Sequence, residues 1–215
     1  MGAKIDSIQI GRVLTEGDPA SRGFADRQWT TGFYKLPVTG PVELTRGGIE
    51  GDGIADLRVH GGPDKAVLCY AASHYQSWAN EYPQLSWSPG ALAENLTLSG
   101  VDESNVCIAD RYRIGDCQVE VSQPRQPCWK IARRWGIKTL TKEVAQSGRT
   151  GWYLRVIETG QLQAGQTAEL LERPNPQWTV ARANDVMFGR EVDRMASMEL
   201  MAIDGLSDDW KQDIA

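Results

Sequence analysis

Histidine is scarce: only His60 and His74 occur in 215 residues. That excludes a three-histidine zinc site, and any Ser–His or Cys–His catalysis has to use one of these two. The four cysteines, at 69, 107, 117 and 128, include no CxxC pair, so zinc-ribbon and ferredoxin spacings are both absent. A chain of this length needs no disulfide staples, and reduced thiols are expected. Long apolar runs are missing too. The longest, Ala66 to Ala72, falls far short of the roughly 20 residues that span a bilayer. The opening MGAKIDSIQI carries no apolar signal core, so a cytoplasmic protein with no membrane partner is expected. Positive charge is not in excess, since 23 Lys and Arg stand against 28 Asp and Glu for a net charge of −5. The basic footprint of a general nucleic-acid binder is therefore absent, and stable nucleic-acid binding is not expected.

What is present is an ordinary globular composition, 41% hydrophobic and 24% charged, in a length that suits one sizeable domain with a small appendage. From Lys4 to about Leu171 short β-prone runs alternate with Gly, Pro, Asp and Asn. Lys4–Leu14, Val38–Thr45, Ala66–Tyr70, Asn95–Ser99, Cys117–Ser122, Tyr153–Glu158 and Thr167–Glu172 are the expected strands. Turn signals at short spacing favour a barrel or sandwich over a βαβ sheet. Helices are expected over 71–81, with Ser73 as N-cap and Pro83 as stop, over 128–135, and over Thr141–Ser147. ERPNPQ then breaks the pattern. Thr179 caps an amphipathic run, and two more helical patterns follow near Glu191–Ala202 and Ser207–Ile214. The reading is a mainly β domain over 1–173 and a small three-helix domain over 174–215, which has to pack on the barrel or on another subunit.

Two segments could carry chemistry. In Val59-His60-Gly61-Gly62-Pro63-Asp64-Lys65 the glycines let backbone approach a ligand closely, consecutive amides can cradle an anion, and Lys65 could add a point charge. The plainer reading is a tight turn before a buried strand, capped by His60. In Ser122-Gln123-Pro124-Arg125-Gln126-Pro127-Cys128 two prolines hold the chain out of helix, and a helix then starts near Pro127 or Cys128. That places a cysteine in a first helical turn, where the dipole and Arg125 favour thiolate, a soft metal ligand or a nucleophile. A buried structural cysteine is the alternative there, and it is the reading adopted for Cys69, Cys107 and Cys117. Asn95 could present a fixed amide to a ligand or bond its own backbone. Arg155 could add an anion contact from its strand. Lys130, Arg133, Arg134 and Lys138 form a basic cluster, either a solvated helix face or a dock for an acidic partner.

Taken in order, Lys35-Leu36-Pro37-Val38, Gly51-Asp52, His60 to Val67, Glu94-Asn95-Leu96, Ser122 to Cys128 and Gly148 to Val156 resemble the MOSC family. This is the β-barrel domain related to the C-terminal part of molybdenum cofactor sulfurases, and the likeness is to its bacterial branch with a trailing three-helix domain. It covers residues 5 to 172 well and the tail more loosely. The resemblance implies a MOSC-type β-barrel with a few peripheral helices and the molybdenum cofactor (molybdopterin), with Cys128 as molybdenum ligand. Lys35, His60, Gly61, Gly62, Asn95, Arg125 and Arg155 would form the pocket. It further implies an oxidoreductase that reduces N-hydroxylated compounds, such as hydroxylamino purines and amidoximes, in a detoxification role. Because no flavin, haem or iron–sulfur motif is present, electrons would come from a separate reductase. A cofactor carrier without turnover uses the same pocket, and a Cys128 nucleophile with His60 as base is a third reading. One departure stands out. The family's aromatic-Gly before Glu-Asn-Leu is Leu92-Ala93 here, so a positive φ at the second position would strain Ala93.

Overall fold

Strands with apolar residues on one face can bury that face only by closing on themselves or on a second layer, and here they close. The computed structural model describes residues 2–214. Seven strands form the barrel: β1 (Ala3–Ile10), β7 (Val67–Ala71), β8 (Leu96–Ser99), β9 (Arg111–Ile114), β10 (Cys117–Pro124), β11 (Trp152–Glu158) and β13 (Thr167–Glu172). Their order is β13-β9-β10-β11-β7-β8-β1, and β1 pairs back onto β13 through Ala3 with Ala168 and Lys4 with Thr167. Six of the seven pairings are antiparallel. The exception, β7 with β8, is parallel and is joined by helix α1 (His74–Glu81), as a parallel pair requires a crossover. The short β4 (Leu36–Pro37) adds to β1 outside the closed set, β2 (Leu14–Glu16) pairs with β3 (Trp29–Thr31), and β5 (Val42–Thr45) lies between β6 (Gly48–Ile49) and β12 (Gly160–Leu162).

The mainly β barrel with peripheral helices is thus the observed architecture. Thr167–Glu172 coincides with its expected strand, while two long expectations are interrupted. Lys4–Leu14 ends at Ile10, because Gly11 turns to accept the Gly53 N–H at 2.6 Å. Val38–Thr45 begins only at Val42, after Gly40 at φ +83° and Pro41. β3 and β9 went unforeseen: β9 reads Arg-Tyr-Arg-Ile, whose exposed arginines mask an alternation that buries Tyr112 and Ile114.

Helix α2 (Trp129–Trp135) stops at Gly136 and α3 (Leu140–Ser147) at Gly148, both left-handed at φ +69° and +72°. Ser73 stands at the N-cap of α1 but its hydroxyl makes no capping bond. Thr179 does cap α4 (Val180–Met187), accepting the Arg182 N–H at 3.1 Å. With α5 (Arg194–Met201) and α6 (Asp208–Ile214), α4 packs on the barrel. Val180, Ala183, Leu200 and Trp210 belong to the same buried cluster as Ile108, Val119 and Val121 of the barrel. A second cluster under α1, α2 and α3 holds Trp29, Tyr70, Trp78, Leu92, Ile131 and Leu140, and it fixes the wall on which the site is built.

Candidate functional site

β10 leaves the barrel at Pro124, and the Arg125 N–H continues its ladder by donating to Gly151 O at 3.0 Å. Pro127 then keeps the chain extended, so Cys128 is the N-cap of α2 (φ −110°, ψ 165°) rather than a residue of its first turn. The Cys128 carbonyl accepts from Ile131 N–H at 3.1 Å and from the Thr141 hydroxyl at 3.0 Å, which ties it to α3. Cys128 lines a cleft that opens to solvent, the kind of concave site in which a small molecule or cofactor is held.

The cleft is lined by Cys128, Arg125, His60, Gly61, Asn95 and Lys35, six residues drawn from four separate stretches of sequence, with Asp52, Lys65, Lys130, Tyr153 and Ala93 among them. Four cations thus face it against a single carboxylate. Lys65 reaches Asp209 of α6 at 2.7 Å, and Lys35 is ion-paired to Asp52 with both side chains over nine-tenths buried. Arg125 is different. It is 4% exposed, its side chain has neither an ion-pair nor a hydrogen-bond partner among the described residues, and its Nη1 is a buried orphan. Leaving a guanidinium unpaired in the interior costs several kcal/mol on the order-of-magnitude scale of buried charges, so the cleft is built for an anion. His60 responds to the same field: burial, then Lys130, Arg125 and Lys65, push its pKa down to about 4, which leaves a neutral imidazole at pH 7. Burial also raises the Tyr153 phenol, against the pull of Arg125.

The glycine loop is shaped for this position. Gly61 sits at φ +76°, a left-handed backbone that favours glycine, while the nearest atom a Cβ would meet is the movable Cδ1 of Ile54 at 2.6 Å. Gly62, at φ +85°, turns away and does not line the cleft. Asn95 lines it with its amide already engaged. Its Oδ1 accepts from Leu68 N–H at 3.1 Å, and its Nδ2 donates to Gln9 O at 3.3 Å and Asp52 Oδ2 at 2.8 Å. The residue therefore stitches β7 to β1 through long-range bonds, rather than bonding its own backbone in a local turn. Arg155 is not brought to the cleft. Cross-strand pairing on β11 sets it against Glu120, to which its Nη1 donates at 2.7 Å, and its Nε donates at 2.7 Å to Asp64, so it braces the glycine loop from outside. Asp52, which reading residue types alone did not single out, is the hub of the cleft floor. It accepts from Lys35, from Asn95 and from the Gly11 N–H at 2.9 Å. Only its place beside Gly51 in the resemblance pointed to it.

Ala93 has φ +66°, the left-handed conformation that the resemblance implied would strain it. The basic cluster is also less free than its composition suggested. Arg133 donates to the carbonyls of Ala25 and Arg27 (the latter at 3.1 Å), and Arg134 lies over the rings of Tyr34 and Trp135 at 4.6 and 4.7 Å. Among the described residues no cluster of three or more His, Cys, Asp and Glu is arranged to hold a metal unaided. A metal here would need most of its ligands from another molecule.

Comparison with known proteins decides the family. The MOSC domain model matches residues 56–169, more than half of the chain. The chain belongs to the MOSC family. Beyond its MOSC domain, residues 178–214 match the YiiM-like 3-alpha helix domain, which covers α4 to α6. The chain is 40% identical to the uncharacterized protein YflK of Bacillus subtilis over 92% of its own length and 89% of that protein's. It is 38% identical to a protein named Reductase from Gibberella moniliformis over 91% of this chain but only 33% of that one. The crystal structure of YiiM from Geobacillus stearothermophilus superposes with a TM-score of 0.81 at 30% identity, covering 99% of this chain and all of that one. Among the described residues no helix is long and apolar enough to cross a membrane.

Proposed function

We propose that this MOSC protein binds the molybdenum cofactor and reduces N-hydroxylated compounds, such as hydroxylamino purines and amidoximes, with electrons from a separate reductase. The observation that carries the reading is the buried Arg125, whose side chain has no partner among the described residues and which lines the same cleft as Cys128. A soft sulfur donor beside a cationic, carboxylate-poor cavity fits an anionic metal–dithiolene group with a terminal phosphate better than it fits a hard divalent ion. Cys128 would supply the protein ligand to molybdenum. Arg125 and Lys65 would meet anionic oxygens, and neutral His60 and the Gly61 loop would meet polar edges. When bound, the cofactor supplies two-electron redox chemistry at the metal. The chain itself would hold that group, and brings a single carboxylate, the Lys35-paired Asp52, to its lining. The Gibberella moniliformis relative is named Reductase, and two thirds of its length lie outside the matched region.

The test compares wild type and Cys128→Ala, each purified from a cofactor-competent host and from one unable to make the cofactor. Near-stoichiometric molybdenum and pterin fluorescence, with metal lost in the variant and reduction of an amidoxime by the loaded wild type, is expected. Bound pterin without turnover would point instead to a carrier. Folded protein that takes up neither metal nor pterin, even on reconstitution, would overturn the cofactor reading.

A further inference from the structure

Reduction of an N-hydroxy group consumes protons as well as electrons: R–NHOH + 2 e⁻ + 2 H⁺ gives R–NH2 + H2O, with the N–O bond broken, one N–H bond formed and the oxygen leaving as water. On the reductase reading, on which this inference rests, the electrons come from the separate reductase. A proton must still reach the departing oxygen inside the cleft. Most lining groups are unsuited to give one. Arg125 does not deprotonate in proteins, His60 is already neutral at pH 7, and burial makes the Tyr153 phenol a weaker acid. Cys128 is taken by the metal. The Lys65 ammonium, already bonded to Asp209 and the Val59 carbonyl, would give its remaining N–H to the cofactor's anionic oxygens, and half-buried Lys130 has no hydrogen-bond or ion-pair partner among the described residues to orient it.

The geometry assigns Lys35 as the proton donor to the leaving oxygen. Its ammonium gives hydrogen bonds to both oxygens of Asp52, no third protein acceptor lies within reach among the described residues, and the side chain lines the cleft. One N–H is thus free for a bound substrate. After transfer, the neutral amine would still be held by an Asp52 carboxylate that keeps its bonds from Asn95 and Gly11, and it would regain its proton from water at the mouth. The charged groups facing it are Asp52 and, farther off, Glu94. Burial outweighs their attraction and lowers the Lys35 pKa, which makes the ammonium a stronger acid.

Lys35→Arg keeps charge and donors but cannot release a proton near neutrality. The double variant Lys35→Met/Asp52→Asn removes the pair together, so that no buried carboxylate is left alone. Both are to be loaded in a cofactor-competent host and measured for pterin and molybdenum content, and for kcat against pH with benzamidoxime and an artificial reductant. In the apoprotein the Lys35 Nζ is titrated by 15N NMR. Expected are cofactor contents within about twofold of wild type, a fall in kcat of at least ~100-fold, the scale of general-acid catalysis, loss of the alkaline limb of the pH profile, and a Lys35 titration below the ordinary lysine value. Wild-type turnover in Lys35→Arg, an alkaline limb that survives, or pterin lost in step with activity would overturn the assignment, the last by making Lys35 an anchor. Failure of the wild type itself to load or turn over is a different signature, and it overturns the reductase reading together with this one.

Discussion

Arg125 is a cation that the protein maintains at its own expense, since nothing in the described chain answers its charge. Replacing even a buried ion pair with packed apolar side chains is often neutral or stabilising by roughly 1–4 kcal/mol, and a lone cation has no partner for the substitution to strand. Arg125→Met should therefore leave the apoprotein at least as stable in urea while cutting retained pterin tenfold or more; a clearly destabilised apoprotein would mean the guanidinium has a structural partner. His60 makes the same field visible through pH. Its folded pKa of about 4 lies below its ordinary 6.5, so between these values the unfolded chain binds a proton that the native one refuses. The stability this provides is complete above about pH 6.5 and is lost as pH falls through about 4. His60→Gln should flatten that loss in urea titrations stepped across the window, and an unchanged slope would assign the acid sensitivity elsewhere. Ala93 holds a left-handed backbone that costs an L-residue about 1–2 kcal/mol. Part of that gain is offset by the freedom glycine adds to the unfolded state, so Ala93→Gly should stabilise by about 0.5–1 kcal/mol, read as a higher urea midpoint at unchanged slope.

Among the elements, legibility followed periodicity and failed where charge or close backbone contact overrode it. Thr167–Glu172 could be read because its flanking turn residues are unambiguous, whereas Arg111 and Arg113 hid β9, and the contact between Gly11 and Gly53 ended β1 early. In the site, unusual strings brought Cys128, His60, Gly61 and Arg125 to attention, and the fold gathers them. Arg155 was misplaced because strand composition does not reveal which neighbour a strand will pair with, and register with β10 delivers it to Glu120. The arginines of α2 illustrate a second limit, for a charged helix face reads as solvated until its partners are known. Because Arg133 clamps the 23–27 turn through Ala25 and Arg27, Arg133→Ala should raise amide hydrogen exchange across residues 17–28 while leaving the β7–β8 amides unchanged. Exchange confined to α2 would mean that the clamp is dispensable. A charge-reversal test of partner docking at Arg133 would therefore disturb this loop as well, and exposed Lys138 is the cleaner position.

At the scale of the molecule, the helical tail and the barrel share one core. Val180 N–H donates to Val106 O at 2.8 Å, and Ser207 bonds Gln123 Oε1 at 2.7 Å. Asp209 and Asp213 reach the two loops flanking the site through Lys65 and Gln126. A chain ending after Glu172 would strip Trp178, Leu200 and Trp210 from that core, removing aromatic and aliphatic burial worth roughly 1.5–3 kcal/mol per large side chain. It should be recovered without a cooperative thermal transition; a sharp transition in the truncated chain would show the barrel to be self-sufficient. The closure of β1 on β13 has a further consequence, in time rather than in space. Ala3 and Lys4 meet Ala168 and Thr167, so β1 waits for β13, the last strand of the barrel, before its ladder is complete. High contact order of this kind places folding in the slow range of roughly milliseconds to seconds. Until the seam closes, two unpaired edges stand open on every nascent chain, where a neighbouring chain or a chaperone can reach them first.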